Sequence, residues 1–421
     1  MLLQANSTIP IKLLACDDFE VDSGTSELSF EGKAIKSSAL TLLSGILRLN
    51  ETITALDLAG VGMGVQAAKA LEVALATNKT LTKLDVRNNS ALWQLKESGE
   101  EESEGLDALG RGLHASVAIQ HVHVDEMHIQ VQPLKGSEPV GELEYAACKQ
   151  LTDISAALLC SLVALNPAAV KLDLSRIKTA PRLGHAVGRC LKANKALVEV
   201  LLRESELGDA GVSALADGLR ANTASQVRVL DLASNSIGAA GAEKLSAVLN
   251  DAGSGRCSIA KLDLSSNQLG SAGTQALMPS IKSNRSVTAL SLRDNDIDGA
   301  GASAIAACLL KNEAVSTLWL GKNKMNNEGV ISVIDALTEA KASKIANLDL
   351  HKNNVSKPAM ASITKLLAES STLMCLGLAG AKLQFIETEA LQQAAQPKPE
   401  LGRAKAVRLW MGNDMNKWPD L

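Results

Sequence analysis

Hydrophobic and polar residues alternate along this chain in two periods that follow each other. In 227–249 (VRVLDLASNSIGAAGAEKLSAVL), Leu230 and Leu232 alternate with polar neighbours, which predicts a short β-strand. Leu245 and Leu249 then lie four residues apart, which predicts a helix with one apolar face. Similar copies begin at Ile259 and Val287. The unit is therefore a strand, a turn and a helix, and the chain repeats it.

The first leucine of the L-x-L element anchors each copy of the repeat. The thirteen anchors are Leu28, Leu56, Leu84, Val122, Leu172, Val200, Leu230, Leu262, Leu290, Leu318, Leu348, Leu376 and Leu409. The commonest interval between neighbouring anchors is 28 residues. A fixed period in this range predicts a solenoid, in which each unit closes the core of its neighbour. We therefore expect a single solenoid over 1–421, with an N-terminal cap at 1–27, repeats at 28–395 and a C-terminal repeat or cap at 396–421.

An asparagine follows many of the predicted strands, where the chain must turn toward the helix. It stands at Asn89, Asn235, Asn267, Asn295, Asn323 and Asn353. An asparagine side chain can satisfy backbone groups in such a turn. The resulting L-x-x-L-x-L-x-x-N-x-L pattern resembles that of leucine-rich repeat proteins, and the long unit with a helical second half is similar to the ribonuclease-inhibitor-like subclass.

This resemblance implies an α/β fold of about thirteen repeats, shaped as a curved horseshoe. A parallel sheet would line its concave face and helices its convex face. The subclass holds proteins that bind protein partners, and it also holds GTPase-activating proteins of the Ran type. The same scaffold carries many functions, so the resemblance alone does not select one.

Charge and cysteine content narrow the class of protein. A net charge of −4 gives no case for nucleic-acid binding. No stretch approaches the length of a membrane span, and the first residues lack the pattern of a signal peptide. Seven cysteines are dispersed without C-x-x-C spacing, which is typical of reduced thiols. We therefore expect a cytoplasmic protein.

Two intervals between anchors, Leu84–Val122 and Val122–Leu172, are much longer than the period, and we expect insertions near 92–105 and 126–150. The first contains the acidic run KESGEEESEG at 96–105. The second lies in the 50-residue interval between Val122 and Leu172. Long insertions in solenoids form loops that are often functional. The acidic run is either a solvated spacer or a contact for a basic partner surface.

Two tryptophans occupy the outward position directly after the anchor, at Trp319 and Trp410. A tryptophan there exposes a large apolar area, and Trp and Arg are enriched at interface hot spots. Arg293, His351 and Arg408 fall in the same quarter of the predicted surface. We expect these five residues to bind a protein partner on the concave face. Alternatively, Trp410 covers the open end of the core and Trp319 packs on neighbouring side chains.

A second candidate patch lies at HVHVDEMH, 121–128. His121, His123 and Asp125 alternate, so all three are expected to point to the concave side. We expect His123 to sit between Asp85 and Asp173 on adjacent strands. Imidazole among carboxylates could form a pH-sensitive patch or partner contact, hold a metal ion, or simply be a solvated polar face. The spacing matches no zinc signature, so no metal is predicted.

No catalytic motif is visible, and no cofactor is predicted. The leading hypothesis is a non-enzymatic protein-interaction scaffold or a subunit of an intracellular complex. One alternative is a GTPase-activating protein of the Ran type, with Arg87 and Asn88–Asn89 near the phosphate-facing edge. Another is a subunit of a cytoskeletal or ciliary assembly. The repeated aspartates of the L-D-L elements are interpreted as a common filler of the repeat.

Overall fold

A computed structural model describes residues 13–15, 18–22, 24–92, 94–95, 101–138, 140–178, 181–250, 258–340, 343–401, 403 and 405–411. The chain divides into two compact units. The first comprises 1–143 and 148–169, and the second comprises 144–147 and 170–421. Each unit has its own core. The single solenoid expected over 1–421, with its caps, stays a prediction.

The first unit contains short strands that alternate with helices. Its strands are Leu13–Ala15, Glu20–Asp22, Glu27–Ser29, Ala55–Asp57, Lys83–Asp85, Gln94–Leu95, Glu101–Glu102, His121–Val124 and Met127–Gln130. Its α-helices are Ser37–Leu47, Val65–Thr77, Glu104–Ala115, Val131–Lys135 and Asp153–Val163, and a 3₁₀ turn covers Ser90–Leu92. The strand Glu142–Glu144 lies at the boundary of the two units.

The predicted anchors of the first unit pair in register in a parallel arrangement. Leu28 lies beside Leu56, Leu56 beside Leu84, and Leu84 beside Val122. Leu56, Leu84 and Val122 are buried, and Leu28 in the first of these strands is half-buried. Leu56 lines one small gap in the core together with Leu43, Leu47 and Leu71 of the helices. The residues that flank each anchor therefore point to the opposite face of the sheet, which we call the helix-free face.

The stretch 126–150, expected as a loop, contains regular structure. The turn at Asp125 has a left-handed backbone (φ 48°) and returns the chain as the antiparallel strand Met127–Gln130. The helix Val131–Lys135 follows, and Gly136 ends it with a φ of 81°. Leu143 is then the buried centre of the strand Glu142–Glu144. That strand is additional to the thirteen predicted ones, which explains part of the 50-residue interval.

The second unit repeats the strand and helix with few departures. Its strands are Lys171–Asp173, Glu199–Leu201, Val229–Asp231, Lys261–Asp263, Ala289–Ser291, Thr317–Trp319, Asn347–Asp349, Cys375–Gly377 and Arg408–Trp410. Its α-helices are Pro181–Ala193, Gly208–Ala221, Ala239–Asn250, Gly270–Ser283, Gly299–Leu309, Asn326–Glu339, Met360–Glu369 and Phe385–Ala394. Short 3₁₀ turns cover Lys357–Ala359 and Pro399–Leu401.

These nine strands pair in parallel without a shift of register. Each predicted anchor from Leu172 to Leu409 lies beside the anchor of the next strand. The anchors as far as Leu376 are buried against the helix side, together with apolar helix residues such as Leu245 and Leu249. The predicted fold class, an α/β leucine-rich-repeat solenoid with a parallel sheet and helices on one side, is confirmed.

Asparagine side chains connect neighbouring repeats, as the sequence predicts for the turn after the strand. Asn323 donates to the carbonyl of Leu292 at 2.9 Å and accepts from the N–H groups of Asn295 and Ile297 at 3.0 and 3.1 Å. Its amide is buried, so it satisfies backbone groups that water cannot reach. The asparagine ladder therefore fixes each turn relative to the one before it.

A second asparagine ladder lies at the other end of the repeat, where each helix ends. Asn312 donates to the carbonyls of Ile281 and Asn284 at 2.6 and 3.2 Å. Its side-chain oxygen accepts from the N–H groups of Ala314 and Val315. The same position holds Asn78, Asn166, Asn194, Asn222 and Asn284. The sequence interpretation missed this ladder, although its members recur at the repeat period.

Candidate functional site

The recurring aspartate after the anchor has a structural role. The Oδ1 of Asp57 accepts a hydrogen bond from the N–H of Ala59 at 2.9 Å, two residues later. The same bond recurs at Asp85, Asp173, Asp231, Asp263 and Asp349, at 2.8 to 3.0 Å. The carboxylate thus satisfies a backbone donor where the strand ends. This contact explains why L-D-L recurs.

The two tryptophans of the predicted binding face lie in one row of the second unit. Trp319 pairs with Asp349, Asp349 with Gly377, and Gly377 with Trp410. Trp319 is only 5% exposed and forms a cluster with Ala289 and Cys375. The expectation that Trp319 exposes a large apolar area is therefore wrong, because neighbouring strands bring apolar side chains against its ring.

Trp410 keeps part of its ring accessible. It packs against the cluster of Trp319, Ala289 and Cys375, and its side chain is half-buried. Arg408, two residues earlier on the same strand, is exposed. A tryptophan that is held by apolar neighbours loses little side-chain entropy when it enters an interface. Trp410 and Arg408 are therefore accessible within the predicted surface.

His351 and Arg293 belong to a buried chain of polar contacts. The Nδ1 of His351 lies 2.8 Å from a carboxylate oxygen of Asp349, and its Nε2 lies 3.0 Å from Nη2 of Arg293. An arginine can only donate, so Nε2 accepts and the proton of a neutral imidazole resides on Nδ1. Asp349 and His351 are at most 1% exposed. His351 is thus not accessible for the predicted partner contact.

Gly321 leaves room for the contacts between Asp349, His351 and Arg293. A Cβ built on Gly321 would lie 1.8 Å from Nδ1 of His351. Any larger residue would therefore displace the imidazole. Arg293 is half-buried, and its Nε has no hydrogen-bond partner among the described residues. Its guanidinium serves chiefly to complete the bonding of His351.

The sequence interpretation missed a charged contact at Arg203, which lies three strands before Arg293. Arg203 places Nε 3.1 Å from Asp231 and Nη2 3.0 Å from Asp263. Burial is the largest influence on Asp231 and raises the pKa of that carboxyl, and the nearby charge of Asp263 adds to the effect. The signal in the sequence is an arginine three positions after a strand centre, followed by aspartates on the next two strands.

The histidines of 121–128 line the helix-free face of the first unit. His123 has Nδ1 3.4 Å from Asp85, its neighbour on the adjacent strand. The place on its other side is taken by His128 of the antiparallel strand. The expectation that His123 lies beside Asp173 is wrong, because the hairpin at Asp125 inserts a strand there. Asp173 pairs with Leu201 in the second unit.

Asp125 is also placed differently from the prediction. It lies in the hairpin turn rather than in the strand, and Thr152 donates a hydrogen bond to its carboxylate. Thr152 is the N-cap of the helix Asp153–Val163. The predicted patch therefore loses Asp125 and gains His128, whose ring centroid lies 4.9 Å from that of His121 and 6.0 Å from that of His123.

A cavity of about 560 Å³ opens on this face. It is lined by Glu27, Leu28, Ser29, Ala55, Leu56, Asp57, Lys83, Leu84, Asp85, His121, His123 and His128. Arg87 pairs with Asp85 at 2.7 Å, so one of the carboxylates in the lining is neutralised. Within the described ranges, no group of three His, Cys, Asp or Glu side chains is placed to hold a metal ion.

The acidic run 96–105 is described only in part, since residues 96–100 lie outside the described residues. Glu104 begins a helix and forms an ion pair with Lys69.

Four cysteines are buried, namely Cys160, Cys190, Cys308 and Cys375. Burial raises the pKa of Cys308 to about 12, so its thiol stays protonated at neutral pH. None of the helices in the described ranges has the length and apolarity to cross a membrane.

Comparison with known proteins supports the repeat assignment. Residues 226–246, 257–278 and 283–306 match the family described as "Leucine Rich repeat". No curated protein sequence matches the chain significantly.

Comparison with solved structures matches three chains at low identity. The yeast complex of Rad7 and Elc1 contains a chain with 14% identity and a TM-score of 0.43, covering 83% of this chain and 85% of that one. The C-terminal domain of Caenorhabditis elegans tropomodulin has 12% identity and a TM-score of 0.26, covering 30% and 74%. Actin-binding site 2 of leiomodin-1 has 15% identity and a TM-score of 0.25, covering 50% and 86%. All three TM-scores are below 0.5, so the assignment rests on the repeat match and on the fold itself.

Proposed function

We propose that this leucine-rich repeat protein is a non-enzymatic interaction scaffold that binds a protein partner at Trp410 and Arg408. The observation that supports this surface is the packing of Trp410 on an apolar cluster. Its ring packs on Trp319, Ala289 and Cys375 while part of it stays accessible, and Arg408 beside it is exposed. Trp and Arg side chains contribute disproportionately to binding energy when a partner excludes water from them.

The neighbouring residues act as support in this proposal. Trp319 and His351 are buried, so we assign them to holding the surface rather than to contacting the partner. Arg293 is tied to His351 and contributes at most its accessible edge. The same surface suits a cytoplasmic subunit of a larger assembly, including a cytoskeletal or ciliary one.

The test compares affinity capture from native cells by the wild-type protein and by a Trp410→Ala/Arg408→Ala variant. We expect selective loss of one partner, since truncating a hot-spot tryptophan costs about 2 kcal/mol or more, or about 30-fold in Kd. A Lys311→Ala/Glu313→Ala variant is the matched control, because both residues are exposed elsewhere in the second unit. Circular dichroism checks the fold of each variant.

Unchanged capture of every partner by the folded Trp410→Ala/Arg408→Ala variant would contradict this surface. Trp319→Ala is unsuitable as the probe, because a cavity at a buried tryptophan costs about 3 to 5 kcal/mol of stability.

The GTPase-activating alternative is not favoured by the contacts in the first unit. Arg87 is held by Asp85, and Asn89 is buried in the asparagine ladder. Acceleration of GTP hydrolysis by the purified protein would revive that alternative.

A further inference from the structure

We propose that the histidine-lined cavity of the first unit is a second docking point, which takes a lysine or arginine side chain of a protein partner at neutral pH and releases it on acidification. This inference rests on the proposed scaffold function and adds the chemistry and the pH response of a separate surface. We call the site the histidine pocket. Its residues are Glu27, Asp57, Lys83, Asp85, His121, His123 and His128.

The size of the histidine pocket suits a side chain of a partner. Its volume of about 560 Å³ falls in the range of about 300 to 1,000 Å³ that is usual for binding sites. The strands that form it are held in register by backbone bonds, so the pocket exists before a partner arrives. A preformed site requires little ordering on binding.

The charges of the histidine pocket favour a cation at neutral pH. Three carboxylates, of Glu27, Asp57 and Asp85, face a single lysine, Lys83. Arg87 neutralises Asp85 at 2.7 Å. Asp57 accepts hydrogen bonds from Ser29 Oγ at 2.8 Å and from the N–H of Ala59, and no basic side chain of the described residues lies within 4 Å of it. Asp57 also acts at longer range on the charge of Arg87, but it has no direct ion pair, so its carboxylate can accept a basic side chain of the partner.

The histidines provide the response to pH. Histidine is the side chain that ordinarily changes charge between pH 5 and 8. His121 lies beside Lys83 in the sheet, His123 beside Asp85, and the rings of both face His128. The Nδ1 of His121 is buried and has no hydrogen-bond partner among the described residues. An imidazolium at any of these positions would place positive charge where a bound cation lies and so disfavour that cation.

The test selects binding peptides without knowledge of the natural partner. A phage-displayed library of random dodecapeptides is selected on the immobilised full chain at pH 7.5 and eluted at the same pH with an excess of the free chain. Peptides that also bind an Asp57→Asn variant are removed. The affinity of each selected synthetic peptide is then measured by fluorescence polarisation at both pH values. We expect the remaining peptides to require an Arg or Lys, and their affinity to fall about tenfold at pH 5.5.

Two further variants separate the charge effect from damage to the fold. Asp57→Asn keeps an oxygen that can accept from the N–H of Ala59, and Asp173→Asn makes the same change at the equivalent position of the second unit. We expect Asp173→Asn to leave peptide affinity unchanged. A His121→Gln/His123→Gln/His128→Gln variant, checked by circular dichroism, is expected to bind at pH 7.5 and to lose most of the pH response.

Several results would overturn the inference. These are recovery of no peptide, selection of acidic or uncharged peptides, affinity that does not change between pH 7.5 and 5.5, and a full pH response in the triple histidine variant. None of them affects the proposed function, which fails only if the Trp410→Ala/Arg408→Ala variant retains every partner. The two failures are therefore distinguishable.

Discussion

At the scale of single residues, burial rather than residue type decides what a side chain can do. His114 lies near the end of the helix Glu104–Ala115, where its Nδ1 is buried and has no hydrogen-bond partner among the described residues. Burial, followed by the charge of Lys135, lowers the pKa of His114. Burial also lowers the pKa of Lys135, whose ammonium group donates to the carbonyl of Ser116.

The lowered pKa of His114 predicts a loss of stability in mild acid. A proton binds more readily to His114 in the unfolded chain, so the stability contribution of the neutral ring is lost as pH falls below about 6.5, the ordinary value for histidine, and through the lower folded-state value. We expect His114→Gln to reduce this loss. Melting temperatures of both proteins at pH 7.5 and 5.0 measure it, and equal decreases would contradict the prediction.

At the scale of secondary-structure elements, the two asparagine ladders connect each strand and helix to its neighbours. Asn323 alone joins five backbone groups: its amide nitrogen donates to three carbonyls and its oxygen accepts from two N–H groups. All these groups are away from solvent, so they have no alternative partner in the folded state. The ladders thus supply what a three-residue strand lacks, which is a fixed position for its ends.

Removal of one ladder asparagine is expected to be costly. Asn323→Ala leaves buried backbone donors and acceptors without partners, and we expect a loss of about 2 to 4 kcal/mol in the free energy of unfolding. Gln392→Ala is the matched control, because Gln392 is an exposed amide residue in the helix Phe385–Ala394. Its expected effect is within about 0.5 kcal/mol. Similar urea midpoints for the two variants would argue against the ladder.

At the scale of the whole molecule, the chain forms two compact units with separate sheets. Each sheet is built from strands that contact mainly their nearest neighbours along the chain. In such an arrangement, a local loss of packing destabilises adjacent repeats before distant ones. We therefore expect a core mutation in one unit to destabilise the repeats of that unit first.

A core mutation in the second unit tests this expectation of local destabilisation. Leu290 is 1% exposed, and Leu290→Ala is expected to cost about 2.7 to 5 kcal/mol. We expect faster amide hydrogen exchange in the adjacent strands Lys261–Asp263 and Thr317–Trp319. The strands of the first unit, from Glu27 to Val124, should keep their protection. Equal acceleration in both units would instead favour one cooperative solenoid over 1–421.

Much of the fold could be predicted from the sequence, because the repeat is local. A 28-residue period sets which leucine lies beside which. All thirteen predicted anchors lie in strands, and every neighbouring pair of anchors except Val122 and Leu172 lies side by side. The hairpin after Val124 was not predictable from that period, since it depends on the turn at Asp125 and its bond to Thr152. The additional strand around Leu143 and the second asparagine ladder left a signal in the sequence that a single template did not detect.

At the candidate sites, the sequence by itself predicts the direction of a side chain but not its exposure. Alternation determines that Trp319, Trp410, His121 and His123 leave the strand on the helix-free side, because side chains alternate along any strand. It does not determine whether a side chain on that side meets solvent.

That is decided by the side chains of adjacent strands. They bury Trp319 beneath Trp410, enclose His351 between Asp349 and Arg293, and leave the histidine pocket open. Exposure is a property of residues that are distant in the chain and adjacent in space, and only the tertiary structure brings those residues together.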